Sequence, residues 1–104
     1  MQLLTQAIRE KLPPLDANEK QGTDALAIVK FFTPDGSWTW YASEFDGDDI
    51  FFGLAVCFEP ELGYFSLCEL RSVRGKLGLP VERDRYFEPT PLRELLDKHK
   101  QERR

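Results

Sequence analysis

The chain has 104 residues, is 41% apolar and 12% aromatic, and carries a formal net charge of -4. That length leaves room for one domain, read as residues 1–104, and that composition excludes a disordered chain. No apolar run approaches the ~18 residues a membrane-crossing helix needs, and the first residues lack the basic and apolar stretches of an export signal, so a cytoplasmic location with no membrane partner is expected.

Leu4, Ile8 and Leu12 stand four apart, one stripe of a helix over about 3–12 that Pro13-Pro14 must end. Leu15 to Thr23 is polar and reads as a loop. Ala27–Phe32 is rich in β-branched and aromatic residues, a strand signal, and Thr33-Pro34-Asp35-Gly36-Ser37 is a turn. A second strand is expected from Trp38 to Phe45, a second turn at Asp46-Gly47-Asp48-Asp49, and a third strand from Ile50 to Phe58, broken by Pro60. Tyr64-Phe65 starts a short fourth. Ser66-Leu67-Cys68-Glu69 has the form of a capping box, predicting a helix over 67–74 that stops at Gly75. Val81–Phe87 is read as a last strand. Thr90-Pro91 reads as an N-cap followed by proline at the first helical position, and Leu92, Leu95, Leu96 and His99 make one stripe of a helix over 91–101. The expected fold class is α+β: an antiparallel β-meander sheet of three to five strands with flanking helices.

Turn lengths suggest a register. A two-residue loop at Gly47-Asp48 makes each facing pair of the second and third strands sum to 95, and a three-residue loop at Pro34-Asp35-Gly36 sets Thr33 opposite Ser37. One face then holds Val29, Phe31, Tyr41, Phe45, Ile50, Phe52, Leu54, Val56 and Phe58 as the core. The other holds Lys30, Trp38, Trp40, Glu44, Phe51, Gly53 and Cys57, a face too apolar to be an ordinary solvated one. A second helix of the same chain covers it, or it is an aromatic groove for a partner.

Charge is unevenly placed. Residues 1–62 hold eleven acids against four bases, and residues 63–104 hold seven acids against ten bases. Cys57, Cys68 and His99 are too few for a zinc site, so no metal and no cofactor is expected, and both cysteines read as small buried apolar groups. Glu44, Asp46, Asp48 and Asp49 lack the spacing of a calcium loop. His99 reads as a helix-end or core-edge residue, since no serine stands in a nucleophile-elbow context.

Several runs are familiar together: Gln21-Gly22-x-Asp24, Val29-Lys30-Phe31-Phe32-x-Pro34, Trp38-Thr39-Trp40-Tyr41, Glu44-Phe45-Asp46-Gly47-x-Asp49, Glu61-Leu62-Gly63-Tyr64-Phe65-Ser66-Leu67, Arg74-Gly75 and Leu79-Pro80-Val81-Glu82-Arg83-Asp84. Over nearly its whole length the chain resembles a domain-of-unknown-function family found on conjugative plasmids, integrative elements, phages and bacterial genomes. The resemblance implies a setting, an accessory protein of mobile DNA, and carries no activity or catalytic residues with it.

The reading that follows is a non-catalytic protein-binding module. Its candidate site is Trp38, Trp40, Lys30 and Phe51, rimmed by Glu44, Asp46, Asp48 and Asp49, facing a basic or amphipathic protein partner. Self-association through the sheet edge or the tryptophan face is a further option. A nucleic-acid-binding alternative stacks bases on the sheet aromatics and tracks phosphates with Arg71, Arg74, Lys76, Arg83 and Arg85, helped by Lys98, Lys100, Arg103 and Arg104. A metal-dependent enzyme of unrecognised class is the last alternative.

Overall fold

In a computed structural model describing residues 2–102, the first helix, α1, spans Gln6–Lys11 and begins at Thr5, whose hydroxyl accepts the Ile8 N–H at 3.2 Å. Leu3 and Leu4 precede the helix and are buried, so the apolar stripe read over 3–12 is real but only its middle is helical. A 3-10 segment follows at Glu19–Asp24, then the strands β1 (Leu26–Ala27), β2 (Val29–Phe32), β3 (Thr39–Phe45), β4 (Ile50–Val56) and β5 (Pro60–Ser66). Helix α2 covers Leu67–Ser72, the strands β6 and β7 are the residue pairs Glu82–Arg83 and Thr90–Pro91, and helix α3 runs Leu92–Glu102. Arg103 and Arg104 lie outside the described residues. No helix among the described residues is long and apolar enough to cross a membrane.

The main sheet is antiparallel, in the order β5-β4-β3-β2-β6, and β1 pairs with β7 in a separate two-stranded ladder. The fold is α+β. Three local expectations are corrected. Pro60 opens β5 instead of merely ending β4, which costs no ladder bond because a proline is tolerated at the start of an edge strand. Thr90 and Pro91 pair with Ala27 and Leu26 and do not cap α3, and the Leu92 N–H is taken by the Ala25 carbonyl at 3.0 Å. Val81–Phe87 contributes only Glu82 and Arg83 as strand. The cap at Ser66 is as read: its hydroxyl accepts the Glu69 N–H at 3.2 Å, although α2 ends at Ser72, short of Gly75.

Two register shifts rearrange the faces. Thr33 pairs with Trp38, not Ser37: its N–H reaches the Trp38 carbonyl at 3.0 Å and its hydroxyl accepts the Trp38 N–H at 3.0 Å, leaving a four-residue turn. Phe31 therefore faces Trp40, and Lys30 faces Tyr41. In the β3–β4 ladder Thr39 through Ala42 follow the expected pairing, but the register slips between Ala42 and Glu44, so Glu44 faces Phe52 and Phe45 faces Phe51. A bulge of this kind turns every later side chain to the opposite face. Gly53 sits opposite Ala42 beside it, where a Cβ would fall 1.8 Å from the Tyr41 carbonyl oxygen.

Both faces of the sheet are consequently covered by the chain itself. On one, Val29, Phe31, Trp40, Ala42, Phe45, Phe51 and Phe65 meet Leu3, Leu4 and Leu12 from the α1 end and Leu67 and Leu70 from α2. On the other, Tyr41, Leu54 and Val56 meet Ala25, Ala27, Leu92 and Leu95. Each large side chain so buried contributes about 1.5–3 kcal/mol. Phe58, placed in the core by the sequence pattern, lies past the end of β4 and is 76% exposed. Cys57 is half-buried and Cys68 is exposed, so Cys68 is not the buried apolar group expected.

Candidate functional site

The bulge in β3 does more than change register. Tyr41 faces Leu54 and Glu44 faces Phe52, two positions on the same side of β4. Ser43, two residues from Tyr41, shares that side, so two consecutive polar side chains, Ser43 and Glu44, stand together on the Tyr41 face. Both are buried, at 0% and 4% exposure. The two Glu44 carboxylate oxygens accept the backbone N–H groups of Asp16 and Asn18, each at 2.9 Å. The loop that leaves α1 is thereby latched over the sheet, with Asp16 at a φ of 69°. The Ser43 hydroxyl has no hydrogen-bond partner among the described residues.

Around this pair lies a half-open cleft of about 310 Å³. Besides the pair it is lined by Asp16, Asn18, Glu19, Gly22 and Thr23 from the loop and 3-10 segment, by the bonded neighbours Ala25 and Leu92, and by Phe52, Leu62 and Tyr64 from β4 and β5. The Phe52 and Tyr64 rings meet edge to face with centroids 5.2 Å apart. Among the described residues, three that bear carboxylates and no Lys, Arg or His line the cleft. Its outer lip is β5, the seven-residue edge of the sheet, where Leu62 is 40% and Tyr64 64% exposed.

Of the residues expected to form a partner site, Trp40 and Phe51 are 6% and 0% exposed. This corrects the open aromatic groove: the shift in β2 and the bulge in β3 bring Val29, Phe31 and Phe45 beside them, and the α1 and α2 segments close over the result. Lys30 is on the opposite face, 3.8 Å from the Asp84 carboxylate and over the Tyr41 ring. Glu44 is not a rim residue but part of the cleft's inner wall. Asp46 caps its own turn, one oxygen accepting the N–H groups of Asp48, Asp49 and Ile50, and those bonds hold its carboxyl below the usual range. Asp49 accepts the Ser66 hydroxyl at 2.7 Å and the Cys68 N–H at 2.8 Å, fastening the β3–β4 turn to the start of α2. Among the described residues no three His, Cys, Asp or Glu side chains are grouped to hold a metal ion.

The basic residues separate into two places. Trp38, Arg74 and Lys76 line one cleft of about 210 Å³, in which the Arg74 guanidinium donates to the carbonyls of Arg71 and Val73 at 2.8 Å each. Trp38 is half-buried and meets Trp40 and Phe58 edge-on. Arg83 and Arg85 lie elsewhere, beside Lys30 and Tyr86, and Arg83 donates to the carbonyls of Gln2 and Leu3.

His99 has a partner the sequence did not reveal. Its Nε2 lies 2.7 Å from the Tyr41 hydroxyl and its Nδ1 3.4 Å from Glu102. Burial, with the negative charges of Glu102 and Asp84, pushes Tyr41 up to about 12, and burial, reinforced by Lys98 and Lys30 against the pull of Glu102, lowers His99. Tyr41 therefore donates to a neutral imidazole whose Nδ1–H points at Glu102. Tyr41 is 1% exposed, so its bond to His99 pins α3 to the sheet from a buried hydroxyl.

The cleft brings three kinds of group together. Its carboxylates stand beside an aromatic and leucine wall, and its lip is the edge strand β5. The residues of this site that sequence reasoning missed are Ser43, Asp16, Asn18, Phe52 and Tyr64. The one signal in the sequence is the polar pair Ser43-Glu44 inside a strand otherwise made of aromatic and small residues. Among known proteins, no curated protein and no solved structure matches the chain. A family described as "Protein of unknown function (DUF2958)" matches residues 3–102, and to that family the chain belongs.

Proposed function

We propose that the chain is a non-catalytic protein-binding module, an accessory protein of a bacterial mobile element acting in the cytoplasm, and that it holds its partner at the β5 edge and the cleft beside it. The carrying observation is the edge itself. β5 is a seven-residue outer strand with no strand on its far side among the described residues, and it exposes Leu62 and Tyr64 in the wall of an acidic cleft. An unpaired strand edge is a template for an extended segment of another chain, and main-chain bonds supply affinity while neighbouring pockets supply choice. The mobile-element setting rests on the family resemblance of the tryptophan and glycine-tyrosine blocks.

Displayed peptides selected on the chain test this. Tyr64→Lys is expected to weaken a selected peptide about tenfold or more, whereas Tyr86→Lys, at an 87% exposed site away from the edge, leaves it unchanged. Equal binding by both variants rules out the edge. A second reading, nucleic-acid binding, is favoured by one observation: Trp38, Arg74 and Lys76 share a cleft, an aromatic face next to two cations. Gel shifts at low salt with single and double strands test it, and Trp38→Ala with Lys76→Ala should abolish any retardation that depends on this cleft.

A further inference from the structure

We propose that the cleft at the β3 bulge holds a lysine or arginine side chain of the protein partner, with the cationic head at Glu44 and Ser43. This deepens the protein-binding reading and rests on it. The argument starts from charge. Asp16, Glu19 and Glu44 line the cleft with no base in its lining among the described residues, and the nearby Asp24 is already paired with Arg93 at 2.7 Å. A carboxylate group alone makes no site, but a second observation points the same way. The Ser43 hydroxyl is buried in the cleft wall with no partner among the described residues, and an unsatisfied buried hydroxyl is costly unless something arrives to use it. An ammonium or guanidinium N–H donates to the Ser43 oxygen, and to the Glu44 carboxylate, whose two backbone bonds fix its position while leaving lone pairs on both oxygens.

The rest of the lining selects a side chain over a bare ion. Phe52, Leu62 and Tyr64 form an apolar wall against which three or four methylenes can lie, and aromatic rings also favour a cation nearby. A hard metal ion needs several clustered oxygen ligands, and no such group exists among the described residues. A phosphate or carboxylate is repelled by the same three acids.

The test is titration of the full isotope-labelled chain with capped single amino acids, followed by amide NMR. Nα-acetyl-lysine amide and Nα-acetyl-arginine amide should give saturable shifts at Ser43, Glu44, Phe52 and Tyr64, with Nα-acetyl-norleucine amide, the same stem without charge, about tenfold weaker or worse. Ser43→Ala should weaken the cationic probes about tenfold while leaving the fold intact. Glu44→Ala unlatches the loop, so the charge is tested at the exposed mouth instead: Asp16→Asn with Glu19→Gln should weaken binding in low salt, with the difference shrinking as salt is added. Equal binding of the norleucine probe, or no saturable shift at these amides, overturns the proposal. A single capped residue cannot extend the sheet, so failure here leaves the β5 reading standing, and loss of peptide binding at β5 leaves the probe result standing.

Discussion

The two faces of one sheet, a few ångströms apart, are built on different chemistry. The Trp40 face is closed and nearly free of polar atoms: Phe51 is fully buried among Phe31, Phe45 and Phe65, with ring centroids 5.6, 4.6 and 5.2 Å away. The Tyr41 face carries polar groups along its length, His99 against Tyr41 under α3 and Ser43 with Glu44 under the loop. The first face therefore contributes mostly burial energy, which is non-directional. The second depends on individual hydrogen bonds, and the acidic cleft opens on it. Apolar burial is concentrated on one side and directional polar contacts on the other, so substitutions on the two sides should fail differently.

The largest effect belongs to the closed face. Phe51→Ala removes a fully buried ring and leaves a cavity walled by three others, and it should cost about 3–5 kcal/mol, read as a fall in the urea midpoint with the slope preserved. Next comes Glu44→Ala on the open face. Two backbone N–H groups lose their acceptor, a cost of about 2–3 kcal/mol, and the loss should be local. Hydrogen exchange should accelerate at Asp16 and Asn18 while Phe51 keeps its protection. If the whole chain loosens together, the division between faces is wrong.

How far the chain could be read before its structure follows the same division. The helix at Ser66 and the stripe of α3 were legible because a cap and a 3.6-residue period are local signals. The strands were legible from alternation, yet which face each residue joins was not. That choice hung on one hydroxyl, Thr33, lengthening a turn, and on one inserted residue at Ser43, and neither is encoded in hydrophobic pattern. Phe45 and Glu44 changed faces for that reason. The loop side of the cleft was harder still. Asp16 and Asn18 look like ordinary loop residues, and what recruits them is a carboxylate 26 or more positions away.

The pH response sharpens the contrast, because Tyr41 and His99, bonded to each other on the Tyr41 face, are both shifted by burial. Tyr41 rises from 10 to about 12 on folding, so the unfolded chain releases its proton first as pH climbs. The contribution is complete below about pH 10 and is lost between there and about pH 12, on the order of 2–3 kcal/mol. His99 shifts the other way. Its folded value lies below 6.5, so the unfolded chain takes up a proton first as pH falls. Stability is full above about pH 6.5 and drops as pH falls through the folded value. Urea midpoints across pH should flatten on the alkaline side in Tyr41→Phe, and an unchanged alkaline slope would show that other groups control it.

The smallest effect is the most informative. Ser43→Ala deletes a hydroxyl that is fully buried and has no partner among the described residues, so by burial alone the variant should be more stable, by up to about 1 kcal/mol. A midpoint that rises while binding of the lysine probe falls would mean the strand carries an unfavourable group for the sake of its ligand. A midpoint that falls would mean the hydroxyl already has a use within the fold, such as a bound water bridging it to Glu44, and the polar pair at the bulge would then be part of the latch on the 16–18 loop and not of the cleft's chemistry.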